Sequence, residues 1–509
     1  VRWKTWKSPK WVASFAAVTG RLPGAARKGM TVNASIFWYD YETTGIDPRR
    51  DRPLQIAGIR TDEALNEIGE PMNLYCRPSD DILPHPMACL ITGITPQRLA
   101  ERGLSEADFM TRVHAQLAQP ATCVAGYNSL RFDDEVTRYS LYRNFFDPYA
   151  REWQGGNSRW DLIDMVRTAY ALRPEGIQWP QLDGRLSLKL EMLTAANGLE
   201  HGQAHDALSD VRATIALARL IRQRQPRLYD YLYQLRSKHK VLDQVRLLQP
   251  LVHVSGRFSA ERHFLSVVLP LAWHPRNRNA LIVCDLCADP APLLELSAED
   301  LRRRLYTRRD ELAEGELPVP LKQIQVNRCP VVAPLSVLRA EDRQRTGIEL
   351  EECQRKAELL RQHQTVWADK LTALYGEESF SASDDPEQQL YDGFIGDRDR
   401  RLCEQLRLAE PEQLAKEQWP FDDARLQELF FRYRARNFPE TLNVAERQQW
   451  ESFCRNRLSH EEYGAPNTLP AFEAALEACR QEQGGTLPAV LAAWRDYAAE
   501  LRQRYSLET

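Results

Sequence analysis

Residues 35–45 read Ser35-Ile36-Phe37-Trp38-Tyr39-Asp40-Tyr41-Glu42-Thr43-Thr44-Gly45. The run from Ile36 to Glu42 is rich in aromatics, which predicts a short buried strand. Side chains alternate along a strand, so Asp40 and Glu42 point to one face, ~7 Å apart at the backbone. Two adjacent carboxylates repel, and each is unfavourable to bury alone. A divalent cation between them removes the conflict, and magnesium favours such oxygen ligands. An isolated D-x-E more often marks a solvated strand end. The apolar run in front of this one argues for burial.

The pattern outward from this strand mixes strands and helices as far as Gln225. Strands are predicted over Pro53 to Thr61, Ile68 to Arg77 and Thr122 to Tyr127. Helices are predicted over Ser105 to Gln119, Asp133 to Phe146, Trp160 to Leu172, Ser187 to Ala196 and His205 to Gln223. That is an α/β layer architecture. Composition then shifts. Strand-like runs dominate at Leu251 to Val254, Phe264 to Leu271, Ala280 to Leu286 and Ile324 to Val332, which predicts a small β-rich domain. From Ala340 the chain turns helical, broken by a Ser-, Asp- and Glu-rich linker from Gly376 to Pro386. The expected domains are 35–225, 226–378 and 379–509, after an extension at 1–34.

That extension carries Arg2, Lys4, Lys7, Lys10, Arg21, Arg27 and Lys28, no acid, and Trp3, Trp6 and Trp11. We read it as non-native or disordered, with Met30 as the expected start. The 509 residues are 43% hydrophobic and 27% charged with net charge −4, an ordinary soluble composition. A mildly acidic balance neither advertises nor excludes nucleic-acid binding. No run of about 18 apolar residues exists, so no membrane span is expected. The ten cysteines form no evenly spaced framework and read as reduced thiols in a cytoplasmic protein. Cys284 and Cys287 make one C-x-x-C without a second ligand pair, which reads as strand cysteines rather than a zinc site.

Two more acidic sites join Asp40 and Glu42. The first is Asn128-Ser129-Leu130-Arg131-Phe132-Asp133, after the strand ending at Tyr127. Asp133 opens the next helix, where an N-cap is the plainer role and Asp134 is a rival for either. The second is His205-Asp206-Ala207-Leu208-Ser209-Asp210, which puts Asp210 a little over one helical turn past His205. The plainer reading makes Asp206 an N-cap and His205 a surface residue.

The ordered set Asp40, Glu42, Asp133, His205 and Asp210 resembles the DEDDh 3′→5′ exonucleases, which have a ribonuclease H-like fold. Their motifs are D-x-E, N-x-x-x-F-D and H-x-x-x-x-D. Longer phrases are similar to the bacterial exodeoxyribonuclease I family. These are Asp40 to Gly45, Leu90-Ile91-Thr92-Gly93-Ile94-Thr95, Arg131 to Arg138, Ser158 to Asp161, Leu251 to Gly256 and Tyr433 to Pro439. The resemblance runs from about residue 35 to about residue 460.

It implies hydrolysis of single-stranded DNA from the 3′ end, with water as nucleophile and a 5′-mononucleotide as product, in DNA repair and recombination. Two Mg2+ ions, with Mn2+ as a substitute, can relieve charge on the phosphate and activate water. Asp40, Glu42 and Asp210 would hold one ion, and Asp40 and Asp133 the other. His205, with an ordinary pKa of about 6.5, would act as general base.

Glu42, Thr43, Thr44, Lys189 and Arg138 are candidate substrate contacts, although a solvated helix charge suits Lys189 equally well. Tyr149, Trp153 and Trp160 suit base stacking or core packing. Asp161 reads as structural. The resemblance further implies a monomer whose later domains close over the DNA. It also implies a partner, the acidic tail of the single-stranded-DNA-binding protein, for which Arg173 and Tyr231 are candidates. A ribonuclease or proofreading subunit would use the same five residues, but the long extension past Gln225 argues against both. An inactive scaffold would lack a carboxylate, and none is missing.

Overall fold

The computed structural model describes residues 34–199, 206–308, 311–376, 383–416, 418–461 and 464–507. The expectations for residues 1–33, for His205 and for 377–382 of the linker lie outside them.

The first sheet has six strands in the order β4-β3-β2-β1-β5-β6. They are β1 (Ser35–Thr43), β2 (Pro53–Asp62), β3 (Met72–Cys76), β4 (Gly103–Leu104), β5 (Thr122–Gly126) and β6 (Ser158–Asp161). β1 pairs antiparallel with β2 and parallel with β5, so it is central and buried on both faces. This explains its near-continuous apolar run. Ile36 and Trp38 enter a core shared with Val211, Ile215 and Ala218 of the Ala207–Arg224 helix. Phe37, Tyr39 and Tyr41 enter a second core, with Phe109 and Val113 of Glu106–Leu117 and Val136 of Asp133–Arg143. Gly58 faces Tyr39 across the β1–β2 ladder. A Cβ there would stand 2.2 Å from the Phe37 ring, so glycine is what lets that ring lie over β2.

A second sheet of five antiparallel strands follows, in the order β10-β9-β8-β7-β11. These are β7 (Leu251–Val254), β8 (Leu265–Trp273), β9 (Ala280–Asp285), β10 (Leu321–Gln325) and β11 (Val331–Ala333). The mixed α/β layer, the β-rich middle and the helical C-terminal region are thus as expected. Local limits differ. Trp160 and Asp161 belong to β6 rather than to the next helix, which begins at Leu162. Asp161 caps that helix by accepting the Ile163 N–H, the role for which aspartate is favoured. Ile324 to Val332 is two strands and a turn, because Cys329 (φ 47°) and Pro330 interrupt the ladder. The strand expected from Ile68 starts only at Met72, past Gly69 (φ 75°) and Pro71.

The C-terminal helices dock on the elements around the first sheet in two ways. Leu469–Glu482 and Ala489–Arg504 share an apolar cluster with Leu54, Leu83 and Ile94, and the Trp494 indole donates to the Ile94 carbonyl at 2.8 Å. Beside it lies a buried ionic network. Asp81 takes two hydrogen bonds from Arg436, at 2.7 and 3.1 Å, and lies 3.3 Å from Arg457. Glu387 pairs with Arg52 and Arg436. Asp81 and Glu387 are 0% and 1% exposed. Burial alone would raise the Asp81 carboxyl, but Arg436 and then Arg457 bring it down to about 2.

Two outcomes follow for the full chain. Removing one partner of a buried pair strands the others, so Asp81→Ala should lower unfolding stability by about 3–5 kcal/mol in denaturant titration. A depressed carboxyl contributes stability above its unfolded pKa and loses it as pH falls. Wild-type stability should therefore drop between about pH 4 and 2 more steeply than that of Asp81→Ala. Superimposable acid profiles would contradict this account.

Candidate active site

The packing of β1 decides where its acids go. Ile36, Trp38, Asp40 and Glu42 share one face, and the first two are covered by the Ala207–Arg224 helix. That helix starts opposite the end of β1, with Asp206 as N-cap accepting from the Ser209 N–H. Its first turn brings Asp210 in, and carboxylate oxygens of Asp40, Glu42 and Asp210 lie within 4.8 Å of one another.

Asp133 arrives from the other side. The chain leaves β5 through Gly126, where a Cβ would stand 2.9 Å from the Tyr39 carbonyl. It then turns at Asn128, which holds a left-handed conformation (φ 61°) that asparagine tolerates. Asp161 fixes this turn, accepting from the Asn128 N–H at 2.8 Å and the Leu130 N–H at 3.2 Å. The chain then reaches Asp133, whose carboxylate accepts the Tyr41 N–H at 3.1 Å, between Asp40 and Glu42 in sequence. Its rival Asp134 points the other way, buried against Arg151 and Arg159 at 2.8 and 2.6 Å and accepting from the Tyr39 hydroxyl.

The site is electrostatically unfavourable by itself. Burial, then Asp133, Glu42 and Asp210, raise the Asp40 carboxyl well above the usual range. Burial, then Asp210 and Asp133, push Glu42 up to about 8. Burial pushes Asp133 to about 8 against the Tyr41 hydrogen bond. Among the described residues no Lys or Arg pairs with Asp40 or Glu42. A donor set of charged oxygens only, crowded and without a protein counter-charge on β1, fits hard divalent cations.

Next to these acids opens a cavity of about 460 Å3. Glu42 and Thr43 form one wall, and Ile46, Met87, Ile91 and Phe132 supply apolar surface. Ile46 is 91% exposed, an unusual position for an isoleucine. Ile91 and Phe132 fall within the family-like phrases 90–95 and 131–138, where no sequence signal gives either a role. Ile46 and Met87 carried no periodic or motif signal.

The remaining candidates divide. Thr43 lines the cavity, its hydroxyl donating to the Gly45 carbonyl at 2.6 Å. Thr44 is fully buried and donates to Asp51, so it shapes the 44–52 loop rather than meeting a sugar. Lys189 is exposed, and its neighbour Leu188 is tied by its carbonyl to the Tyr127 hydroxyl at 2.5 Å, beside the Asn128 turn. Arg138 does not track a strand. It is buried, with donors committed to Glu152, Glu135 and the Tyr391 hydroxyl.

Trp160 packs among Trp38, Tyr229 and Tyr233 in the core, leaving it no free face for a base. Tyr149 lies under Arg138 and beside Tyr391, whereas Trp153 is 67% exposed. Arg173 donates to Asp342 at 3.0 Å and to the Val337 carbonyl, and Tyr231 donates to the Val332 carbonyl.

Three family models match this chain. Residues 37–218 match an exonuclease model, 236–377 an exonuclease I SH3-like domain and 384–501 an exonuclease I C-terminal domain. Exodeoxyribonuclease I of Escherichia coli K12 is 51% identical over 432 residues, covering 84% of this chain and 90% of that protein. A moderately thermophilic exonuclease I from Methylocaldum szegediense superposes with a TM-score of 0.87 at 52% identity, over 92% of this chain and 99% of that one. E. coli exonuclease I in complex with a dA16 oligonucleotide does so with 0.88 at 47%, over 92% of this chain and 100% of that one. With three such models matched in order along the chain and 51% identity over 432 residues to a relative covered to 90%, this chain belongs to the exonuclease I family.

Proposed function

We propose that this chain removes 5′-mononucleotides from the 3′ end of single-stranded DNA by metal-dependent hydrolysis. The observation that carries this reading is the meeting of Asp40, Glu42 and Asp210 within 4.8 Å, beside a cavity with apolar walls. Single-stranded DNA as substrate comes from the likeness to the E. coli enzyme, solved with a dA16 oligonucleotide.

In this reading Asp40, Glu42 and Asp210 would hold one divalent ion, and Asp40 and Asp133 would hold a second. Magnesium is the first choice, with manganese as a substitute. Bound there, the ions supply charge relief to the scissile phosphate and acidity to the attacking water. His205 precedes the N-cap Asp206 in sequence and takes the proton of that water. The terminal nucleotide occupies the cavity, its base or sugar against Ile46, Met87, Ile91 and Phe132. Glu42 and Thr43 face its sugar. Lys189, exposed beside the Asn128 turn, contacts a backbone phosphate.

We further assign this enzyme to DNA repair and recombination, as a cytoplasmic monomer with domains at 35–225, 226–378 and 379–509. No helix among the described residues is long and apolar enough to cross a membrane. The acidic tail of a single-stranded-DNA-binding protein would dock near Arg173 and Tyr231, which both reach the segment 332–342. There it competes with Asp342 for Arg173.

With magnesium, 5′-labelled single-stranded DNA should give a ladder that EDTA abolishes, while duplex DNA and RNA persist. Preferential RNA loss would favour an exoribonuclease, and binding without cleavage an inactive scaffold. Asp210→Ala should reduce turnover by more than the ~10–100-fold typical of outer-shell changes, with the fold intact by circular dichroism. Undiminished activity would remove Asp210 from the site.

His205→Ala should slow hydrolysis by ~10²–10⁴-fold and spare DNA binding, as expected for a lost general base. A parallel loss of affinity would make it a binding residue instead.

A pH dependence follows as well. A raised carboxyl contributes full stability below its unfolded pKa of about 4 and loses it as pH climbs through its folded value. For Glu42 and Asp133 that value is about 8. Magnesium should therefore raise the melting temperature more at pH 8 than at pH 6. An increment flat across this range would contradict the assignment.

A further inference from the structure

The cavity beside the acids is walled by segments from opposite ends of the chain. Glu42, Thr43 and His85 come from the nuclease layer, whereas Pro466 and Asn467 lie just before the C-terminal helix Leu469–Glu482. Asn467 is held from both sides. Behind it Gly464 takes a left-handed φ of 72°, and a Cβ there would stand 2.6 Å from the Asp385 carboxylate. Asp385 is itself fixed by Arg432 at 2.7 Å. Ahead of it Thr468 caps Leu469–Glu482 by accepting the Ala471 N–H at 3.3 Å, and Leu469 is buried with Leu54 and Leu83. The half-buried Asn467 amide then donates to the Leu83 carbonyl at 3.2 Å. A carbonyl only accepts, so this contact fixes which end of the carboxamide is nitrogen. It is the one side-chain hydrogen bond of Asn467 among the described residues, which leaves Oδ1 and the second Nδ2 proton open.

His85 stands on the nuclease side. Its N–H donates to the Thr44 carbonyl at 2.7 Å, which ties it to the loop after β1. Its Nδ1 accepts the Met87 N–H at 3.2 Å and so caps the Pro86–Thr92 helix. With Nδ1 as acceptor, the proton of the neutral ring sits on Nε2, and the side chain is exposed. Most other polar groups of the cavity are committed. Thr43 donates to the Gly45 carbonyl at 2.6 Å. Asp51 accepts from the Thr44 hydroxyl at 2.7 Å and the Asp47 N–H at 2.8 Å. Asp47 accepts the Arg49 N–H at 3.0 Å and lies 3.9 Å from Arg50.

We propose that His85 and Asn467 hydrogen-bond the base of the 3′-terminal nucleotide, a role that rests on the cavity being the seat of that nucleotide. The C-terminal helical region is then part of the substrate pocket itself. Ile46, Met87 and Ile91 give apolar contact, which grips a base without fixing its edge. A ring donor and a carboxamide fix the edge. Every base carries an acceptor next to the sugar, N3 of a purine or O2 of a pyrimidine, so the His85 Nε2–H suits any sequence. Asn467 offers an acceptor and a donor, and so meets either kind of edge. Because Asn467 hangs from the Leu83 carbonyl, docking of the C-terminal helices sets where this contact falls.

The full chain, with magnesium, is titrated calorimetrically with dAMP, dTMP and deoxyribose 5-phosphate. His85→Asn keeps a capping side chain and removes the Nε2–H. It should weaken both nucleotides ~3–10-fold, the worth of one neutral hydrogen bond, and leave deoxyribose 5-phosphate unchanged. Asn467→Ala should do the same. His85→Asn leaves the C-terminal joint intact and decides the matter if Asn467→Ala melts early. In digestion of single-stranded DNA, His85→Asn should raise KM more than it lowers kcat, as for a contact made equally in ground and transition states. Undiminished nucleotide affinity, a loss for one base only, or an equal loss of deoxyribose 5-phosphate would each overturn the proposal. A wild type that cleaves no DNA with magnesium refutes the nuclease reading instead, and the titrations still decide the role of His85 and Asn467.

Discussion

Four carboxylates meet at the buried end of one strand, and their mutual repulsion is the constraint on which the structure of the nuclease layer depends. Nothing in Asp40 and Glu42 themselves favours that arrangement, since burial and their acidic neighbours both oppose their charge. It persists because β1 is clamped from both faces. Ile36 and Trp38 hold it against one core, and Phe37, Tyr39 and Tyr41 against another. A strand fixed this firmly tolerates local strain that a surface strand would relax. The Asp133 bond to the Tyr41 N–H then joins the second motif to the first through main chain, independent of any ion. The acids are therefore in place before a cation arrives.

The same residue type meets the opposite fate at Asp81, Asp134 and Glu387. These are equally buried, yet arginines surround them and their carboxyls are depressed rather than raised. Desolvation acts alike in both settings, and the counter-charge decides the outcome. At Asp81 and Glu387 the counter-charge belongs to the chain, so the result is a fixed joint between the nuclease layer and the C-terminal helices. At Asp40 and Glu42 it must come from outside, and the result is a site. Burial of an acid alone does not mark a site, since Asp161 is also buried and raised while it serves as a cap; several acids crowded together without arginine mark a candidate metal site.

This division explains what the amino-acid order made legible. Asp40, Glu42, Asp133 and Asp210 stood out because they occur at fixed intervals next to readable elements, a period-two strand and two helix starts. The α/β, β-rich and helical sequence of layers was legible for the same reason. Choosing Asp133 over Asp134 was less secure, because adjacent aspartates differ only in direction, and that is set by Arg151 and Arg159 at 2.8 and 2.6 Å. Arg138 was misread for a related reason, and Trp160 was left between base stacking and core packing. A charge or ring near a motif reads as a ligand contact until Glu152 or Tyr229 is found against it. The apolar cavity wall escaped altogether. Ile46 and Met87 come from a loop and a short helix start, where no periodicity distinguishes a wall from packing.

The whole-chain charge of −4 was a weak guide for a physical reason. Part of the ionised content never faces solvent. Asp81, Asp134 and Glu387 are paired with Arg52, Arg151, Arg159, Arg436 and Arg457 inside the protein. In the proposed function Asp40, Glu42 and Asp133 would cancel against bound cations. What a polyanion meets is the remaining surface plus those cations, and neither is given by the formal sum. A nuclease can therefore be acidic overall and still accept DNA, provided that its most concentrated negative charge is the part that metal neutralises. On the proposed function the strongest obstacle to substrate and the metal-holding apparatus are the same side chains, so loading the metal would remove the one while assembling the other.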